Sequence, residues 1–233
     1  MPILRERMPL GQLGTLLCAL TVLGTAWPAN AAVIYNVTVD TSSVNGSLGY
    51  LDFQFDPGNG TSQAATALVS NFSGGTLGAV EISGDVTGTL PGTLTMMNDT
   101  ALNEYFVAFT YASSFSFQLS LSGPAISSPN GTSNAGTEFG LGLYDPNQDP
   151  ILTNQEAATG FAGQVDINLN GSTTPTAFPS NDAGAASVVT FQAQAVPEPA
   201  TAFLALMGIA GLGLFGAVRG KGRRAAKATR ASL

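Results

Sequence analysis

Residues 114–121 read SFSFQLSL, and a large apolar side chain occupies every second position. Successive side chains of a β-strand point to opposite faces, so this alternation gives the segment one apolar face and one polar face. Such a strand buries one face in a core and leaves the other in water. The stretch therefore predicts a half-buried strand, with a core face made of Phe115, Phe117, Leu119 and Leu121.

The same period of two recurs along the chain, between clusters of Gly, Pro, Asn and Ser. It is found in VIYNVTVD at 33–40, YLDFQF at 50–55, YFVAFTY at 105–111, FGLGLY at 139–144, QVDINLN at 164–170 and ASVVTFQAQ at 186–194. About ten short strands without a helical pattern are typical of an antiparallel β-sandwich or jelly roll. We predict one all-β domain over residues 32–195, with a loop over residues 174–186.

Basic residues are confined to the two ends of the chain. The net charge is −7, and all eight Lys and Arg residues lie before Met8 or after Val218. Affinity for nucleic acid comes largely from Lys and Arg side chains that neutralise phosphates. The long acidic part of the chain is therefore excluded as a nucleic-acid-binding surface.

The N-terminal segment has the pattern of a secretory signal peptide. Arg5 and Arg7 precede an apolar stretch, and small residues follow it at Ala29 and Ala31. Signal peptidase reads such an A-x-A pattern, so residues 1–31 are predicted to form a signal helix that is cleaved after Ala31. An uncleaved membrane anchor is the alternative.

A second apolar segment lies near the C-terminus. Residues 200–218 carry no charge, and 19 residues are enough to cross the bilayer core as a helix. Six basic residues follow within residues 219–233, and the positive-inside rule places this tail in the cytoplasm. Both ends thus predict that residues 32–195 are exported.

The segment that joins the domain to this helix carries a recognisable motif. Val196, Pro197, Glu198 and Pro199 stand directly before the helix, and arginines follow it. Residues 196–224 resemble the PEP-CTERM sorting signal of bacteria that make extracellular polysaccharide. The resemblance implies that an exosortase-type membrane transpeptidase recognises the motif and removes the helix. The basic tail is longer than is usual in that family, and a plain single-pass anchor is the alternative.

The resemblance also bears on role and location. The segments GYLDFQF and GDVTGTLPGT, which start at residues 49 and 84, are similar to parts of β-rich domains that other PEP-CTERM proteins carry. The resemblance implies a membrane-anchored stage during sorting and a final place at the cell surface or in the extracellular or biofilm matrix. The expected role is structural or interactive, with extracellular polysaccharide as a possible partner.

One loop has ligand spacing suited to a hard cation. Asp145, Asn147, Asp149 and Glu156 stand at positions 1, 3, 5 and 12 of an EF-hand calcium loop. Position 6 is Pro150, where the EF-hand turn uses Gly, and the pattern predicts no flanking helices. The spacing predicts a calcium site, and an ordinary polar turn is the alternative.

Catalysis has few side chains to use. The sequence has no His, its one cysteine is Cys18 in the predicted signal peptide, and its lysines lie in the basic tail. Only a carboxylate pair, as in glycoside hydrolysis, could act; the available carboxylates are Asp52, Asp56, Glu81, Asp85, Glu104 and Glu138. We expect charged strand faces turned to water and no enzyme. A lectin-like module, with Tyr50 or Tyr144 stacked on sugar rings, is the alternative.

Overall fold

The computed structural model of the chain describes residues 32–58 and 61–195. The predicted signal peptide (1–31), the motif with its helix (196–224) and the basic tail (219–233) lie outside the described residues. Within the described ranges, no helix combines the length and the apolar character that a membrane span requires.

The described part of the chain is almost entirely β-structure. Its twelve strands are β1 Val33–Asp40, β2 Leu48–Pro57, β3 Thr66–Ser73, β4 Thr76–Ser83, β5 Val86–Gly88, β6 Leu94–Met97, β7 Glu104–Thr110, β8 Ser114–Ser122, β9 Thr137–Tyr144, β10 Phe161–Ile167, β11 Thr173–Ala177 and β12 Val189–Gln194. A 3₁₀ turn at Ser42–Val44 and a one-turn helix, α1, at Pro124–Ser127 complete the elements. The all-β prediction is confirmed, with two strands more than the ten expected.

The strands form two antiparallel sheets of six. The first sheet has the order β12-β1-β8-β3-β6-β5, and the second has the order β11-β10-β9-β2-β7-β4. The first four strands alternate between the sheets, which is typical of a jelly-roll sandwich. The sandwich prediction agrees with this arrangement.

The core lies between the sheets and is made of the predicted alternating residues. β8, which pairs with β1 and β3, buries Phe115, Phe117, Leu119 and Leu121 to an exposed fraction of 3% or less. β2 lies between β7 and β9 in the other sheet and buries Leu51, Phe53 and Phe55 completely. The rings of Phe53 and Phe117 join the two sheets, with their centroids 5.4 Å apart.

The predicted loop over residues 174–186 is partly wrong. β11, Thr173–Ala177, occupies its beginning and pairs with β10 at the edge of the second sheet. Pro175 misled the prediction because proline cannot donate a ladder hydrogen bond, but an edge strand tolerates proline. Beyond β11, the chain to residue 188 contains turns and irregular backbone, as predicted.

Candidate functional site

Six carboxylates lie on the outer face of the second sheet. On β2, Asp52, Gln54 and Asp56 alternate with core residues and therefore point away from the core. The strand registers place Glu104 opposite Gln54, Glu138 opposite Asp56, and Asp166 opposite Glu138. On the edge strand β4, Glu81 is opposite Phe106, which is itself opposite Asp52. We call this set the acidic face, and its carboxylates are Asp52, Asp56, Glu81, Glu104, Glu138 and Asp166.

Asp52 is the most unusual member of the acidic face because its exposed fraction is only 2%. The Nε2 of Gln54 donates to Asp52 Oδ2 at 2.7 Å and reaches Glu104 Oε1 at 3.4 Å. Asp52 Oδ1 is buried without a hydrogen-bond partner. Burial, followed by the nearby charge of Glu104, raises the pKa of Asp52 to about 7. Burial therefore favours the protonated form of Asp52 up to near-neutral pH.

A row of three carboxylates lines an open groove at one end of the acidic face. Asp56, Glu138 and Asp166 lie side by side on β2, β9 and β10, and the groove has a volume of about 410 Å³. Burial, followed by the charge of Asp166, raises the pKa of Glu138 to about 7. Like charges on neighbouring strands repel each other. Protonation of Glu138 therefore reduces the electrostatic repulsion among these three carboxylates.

Aromatic side chains lie beside the carboxylates on the same face. The rings of Tyr50 and Phe106 stack with centroids 4.8 Å apart, and Tyr144 meets Phe106 edge-on at 5.8 Å. All three rings are partly exposed. Burial raises the pKa of Tyr144 to about 12, with added repulsion from Asp52 and Glu104. We call Tyr50, Phe106 and Tyr144 the aromatic cluster.

The outer face of the first sheet differs in chemistry. In the six strands of that sheet the one carboxylate is Asp40, at the end of β1. The remaining outward positions are mostly Ser, Thr, Asn and Gln, and Gln118 Nε2 donates to both Asn36 and Gln194 at 3.3 Å. The sandwich thus has one acidic outer face and one nearly uncharged outer face.

The predicted calcium loop forms a compact turn after β9. Asp145 Oδ1 accepts hydrogen bonds from the backbone N–H groups of Asn147 at 2.8 Å and Asp149 at 3.0 Å, and Glu156 is exposed further along. These bonds are typical of the polar turn given as the alternative. Across residues 32–58 and 61–195, no three His, Cys, Asp or Glu side chains are grouped as metal ligands. Calcium binding by Asp145, Asn147, Asp149 and Glu156 stays a prediction.

The structure brings together five of the six carboxylates singled out in the sequence. Asp52, Asp56, Glu81, Glu104 and Glu138 share the acidic face. Asp85 lies in the turn after β4, where its N–H donates to Asn103 Oδ1 at 2.8 Å. Sequence reasoning missed Asp166, although its alternation with Val165 and Ile167 already placed it on an outer face.

Comparison with known proteins concerns the C-terminal segment. Residues 195–224 match the family model described as the PEP-CTERM protein-sorting motif, which confirms the resemblance stated for residues 196–224. No curated protein and no solved structure gave a match. The chain therefore carries a PEP-CTERM protein-sorting motif at residues 195–224, and this motif supports export and sorting by an exosortase.

Proposed function

We propose that the protein is a non-enzymatic component of the cell surface or the extracellular matrix, including biofilm, of a polysaccharide-making bacterium. The observation that carries this proposal is the sorting motif, whose match begins at residue 195, directly after β12 ends at Gln194. The sandwich is therefore the cargo of the sorting signal. Its acidic outer face keeps the delivered domain soluble, and its second, nearly uncharged face can contact neutral molecules.

Signal-peptide cleavage and sorting together are expected to remove both basic ends of the protein. Mass spectrometry of the mature protein from its own host should find a first residue at Ala32 and no peptide beyond the Pro197–Pro199 region. Replacing Glu198 by Ala should leave the C-terminal peptides attached, whereas Asp99→Ala, in an exposed turn of the domain, should not. Recovery of the basic tail from the wild-type mature protein would contradict the sorting step.

A carbohydrate-binding role of lectin type, with or without calcium, is the second candidate. The aromatic cluster supports it, because flat rings beside carboxylates and amides offer a stacking surface together with acceptors for hydroxyl groups. Tyr50 and Tyr144, the two tyrosines named from the sequence, both belong to this cluster. Phe106 joins them only through the pairing of β2 with β7.

Glycan binding tests this candidate. We expect the mature protein to bind a neutral glycan on an array and Phe106→Ala to weaken binding about tenfold, a loss of about 1.4 kcal/mol. Met97→Ala, at a residue that is 37% exposed on β6 of the other sheet, is the matched control. Repeating the array with calcium, for wild type and Asp145→Ala/Asp149→Ala, tests the predicted metal ligands.

Two outcomes of that assay would change the proposal. Absence of binding with and without calcium would count against the lectin-like role. Asp56 and Glu138 share a groove, as a catalytic carboxylate pair would, so the array should also be examined for released sugar. Hydrolysis that disappears in Glu138→Gln would replace the non-enzymatic proposal with a glycosidase.

A further inference from the structure

The last strand and the sorting motif lie very close together along the chain. β12 ends at Gln194, and Pro197 of the motif follows three residues later. Three extended residues span about 10 Å. A folded domain of about 160 residues has a radius of gyration of about 15 Å. The free chain is therefore short compared with the bulk of the domain that a sorting enzyme must accommodate.

The backbone just before the motif is already paired with another strand. β12 is the edge strand of the first sheet, and its end pairs with the start of β1 through Gln192↔Asn36, Ala193↔Tyr35 and Gln194↔Ile34. Enzymes and peptide-binding domains that take an extended segment commonly use its backbone N–H and C=O groups. Along one edge of β12 these groups pair with β1. An enzyme cleft that surrounds the segment therefore cannot bind them while β12 stays paired with β1.

Apart from its backbone pairing with β1, the end of β12 is held by side chains that face solvent. Gln192, Ala193 and Gln194 are all exposed, and the side-chain contact of Gln194 is a 3.3 Å bond from Gln118. The firm attachment lies earlier in the strand, where Val189 is 3% exposed and Phe191 meets Tyr35 edge-on at 6.2 Å. None of the last three residues has a buried side chain of its own, whereas separating Phe191 would break its aromatic contact with Tyr35.

We infer that residues 192–194 are part of the segment that the sorting transpeptidase binds, and that they leave β1 when the enzyme engages the motif. Phe191 stays in place, so the separation of β12 from β1 ends at this residue. Three released residues double the reach, to about 20 Å between Phe191 and Pro197. Edge strands held by few buried contacts open at far lower free energy than the whole domain. The inference rests on the sorting step stated under the proposed function.

Crosslinks between β1 and β12 test the inference in the full-length protein in its own host. Ile34→Cys/Gln194→Cys ties down the end of β12, and Thr38→Cys/Thr190→Cys is the matched control before Phe191. Both pairs are directly opposed and differ in register by four residues, so they belong to the same class of ladder pair. The natural cysteine, Cys18, lies in the predicted signal peptide, and the N-terminal mass reports whether signal cleavage is unchanged.

We expect the oxidised 34–194 crosslink to reduce C-terminal cleavage at least tenfold and the 38–190 crosslink to change it less than twofold. Dithiothreitol should restore cleavage, and so should a six-residue Gly/Ser insertion between Ala195 and Val196 in the crosslinked protein. Normal cleavage of the oxidised 34–194 form would overturn the inference while leaving the sorting proposal intact. Failure of the wild-type protein to be cleaved would instead overturn the sorting proposal.

Discussion

Replacing Phe53 by Ala is expected to lower the free energy of unfolding of the mature protein by about 3–5 kcal/mol. Phe53 is completely buried on β2, where its ring lies 5.4 Å from Phe117, 6.3 Å from Phe139 and 6.4 Å from Tyr105, measured between centroids. Removing the ring deletes one of the aromatic contacts between the two sheets and leaves a cavity that close-packed neighbours fill only in part. The domain has no disulfide to offset the loss, because Cys18 is the one cysteine of the chain.

Urea denaturation of wild type and variant measures this effect. Leu48→Ala is the matched control, since Leu48 begins the same strand but is 65% exposed, and its cost should stay within about 0.5 kcal/mol. A loss below about 1 kcal/mol for Phe53→Ala would mean that the two sheets do not depend on this cluster of rings.

The protein is expected to be more stable at pH 4 than at pH 8, which is the reverse of ordinary acid denaturation. The pKa of Asp52 rises from 3.8 to about 7 on folding, and that of Glu138 rises from 4.5 to about 7, in both cases mainly by burial. A carboxyl whose pKa is raised on folding stabilises the folded state fully below its unfolded pKa. That contribution is lost as the pH rises through the folded value. Stability should therefore fall between about pH 4 and pH 7, and level off above.

The buried Asp52 dominates the size of this effect. A rise of about three pKa units at one buried carboxyl corresponds to about 4 kcal/mol. Asp52→Asn removes the charge and keeps an oxygen for the Gln54 Nε2 donor, so it should stabilise the protein at pH 8 by about 2 kcal/mol or more. At pH 4 the two proteins should differ little, because Asp52 is then already protonated.

Denaturation curves recorded between pH 4 and pH 8 test both the pH dependence of stability and the effect of Asp52→Asn. Asp40→Asn is the control, because Asp40 ends β1 in solvent and its pKa is lowered by hydrogen bonds from Ser42. That variant should retain the fall in stability from pH 4 to pH 8. A wild-type protein whose stability increases over this range would show that the acidic face does not carry buried, protonated carboxyls.

The alternation of side chains predicted most of the fold. The stretch at residues 114–121 indicated a half-buried strand, and β8 buries the four residues named from it. The prediction succeeded because a strand with one face in a core must repeat every two residues. It was weaker for β11, where Pro175 masks an edge strand. The sorting signal was found from sequence because it is a short linear motif followed by an uncharged apolar stretch.

The acidic face could be predicted only in part. The outward direction of Asp52 and Asp56 followed from their alternation with Leu51, Phe53 and Phe55. The partners of β2 did not follow, because β7 and β9 lie far along the chain and strand pairing is not encoded by local periodicity. Without those partners, the sequence indicated charged faces turned to water, whereas Asp52 is 2% exposed.

The sequence by itself determined the export signals, the confinement of basic charge to the ends, the all-β class and the core faces of the strands. Each of these depends on residues close together in the chain, so composition and period are sufficient. The tertiary structure alone decided that six strands with a single carboxylate form one sheet while six carboxylates lie on the outer face of the other. It also decided that β12, the last strand before the sorting motif in the sequence, is an edge strand. The reason is physical: pairing joins distant segments, and burial of Asp52 depends on which strands flank it.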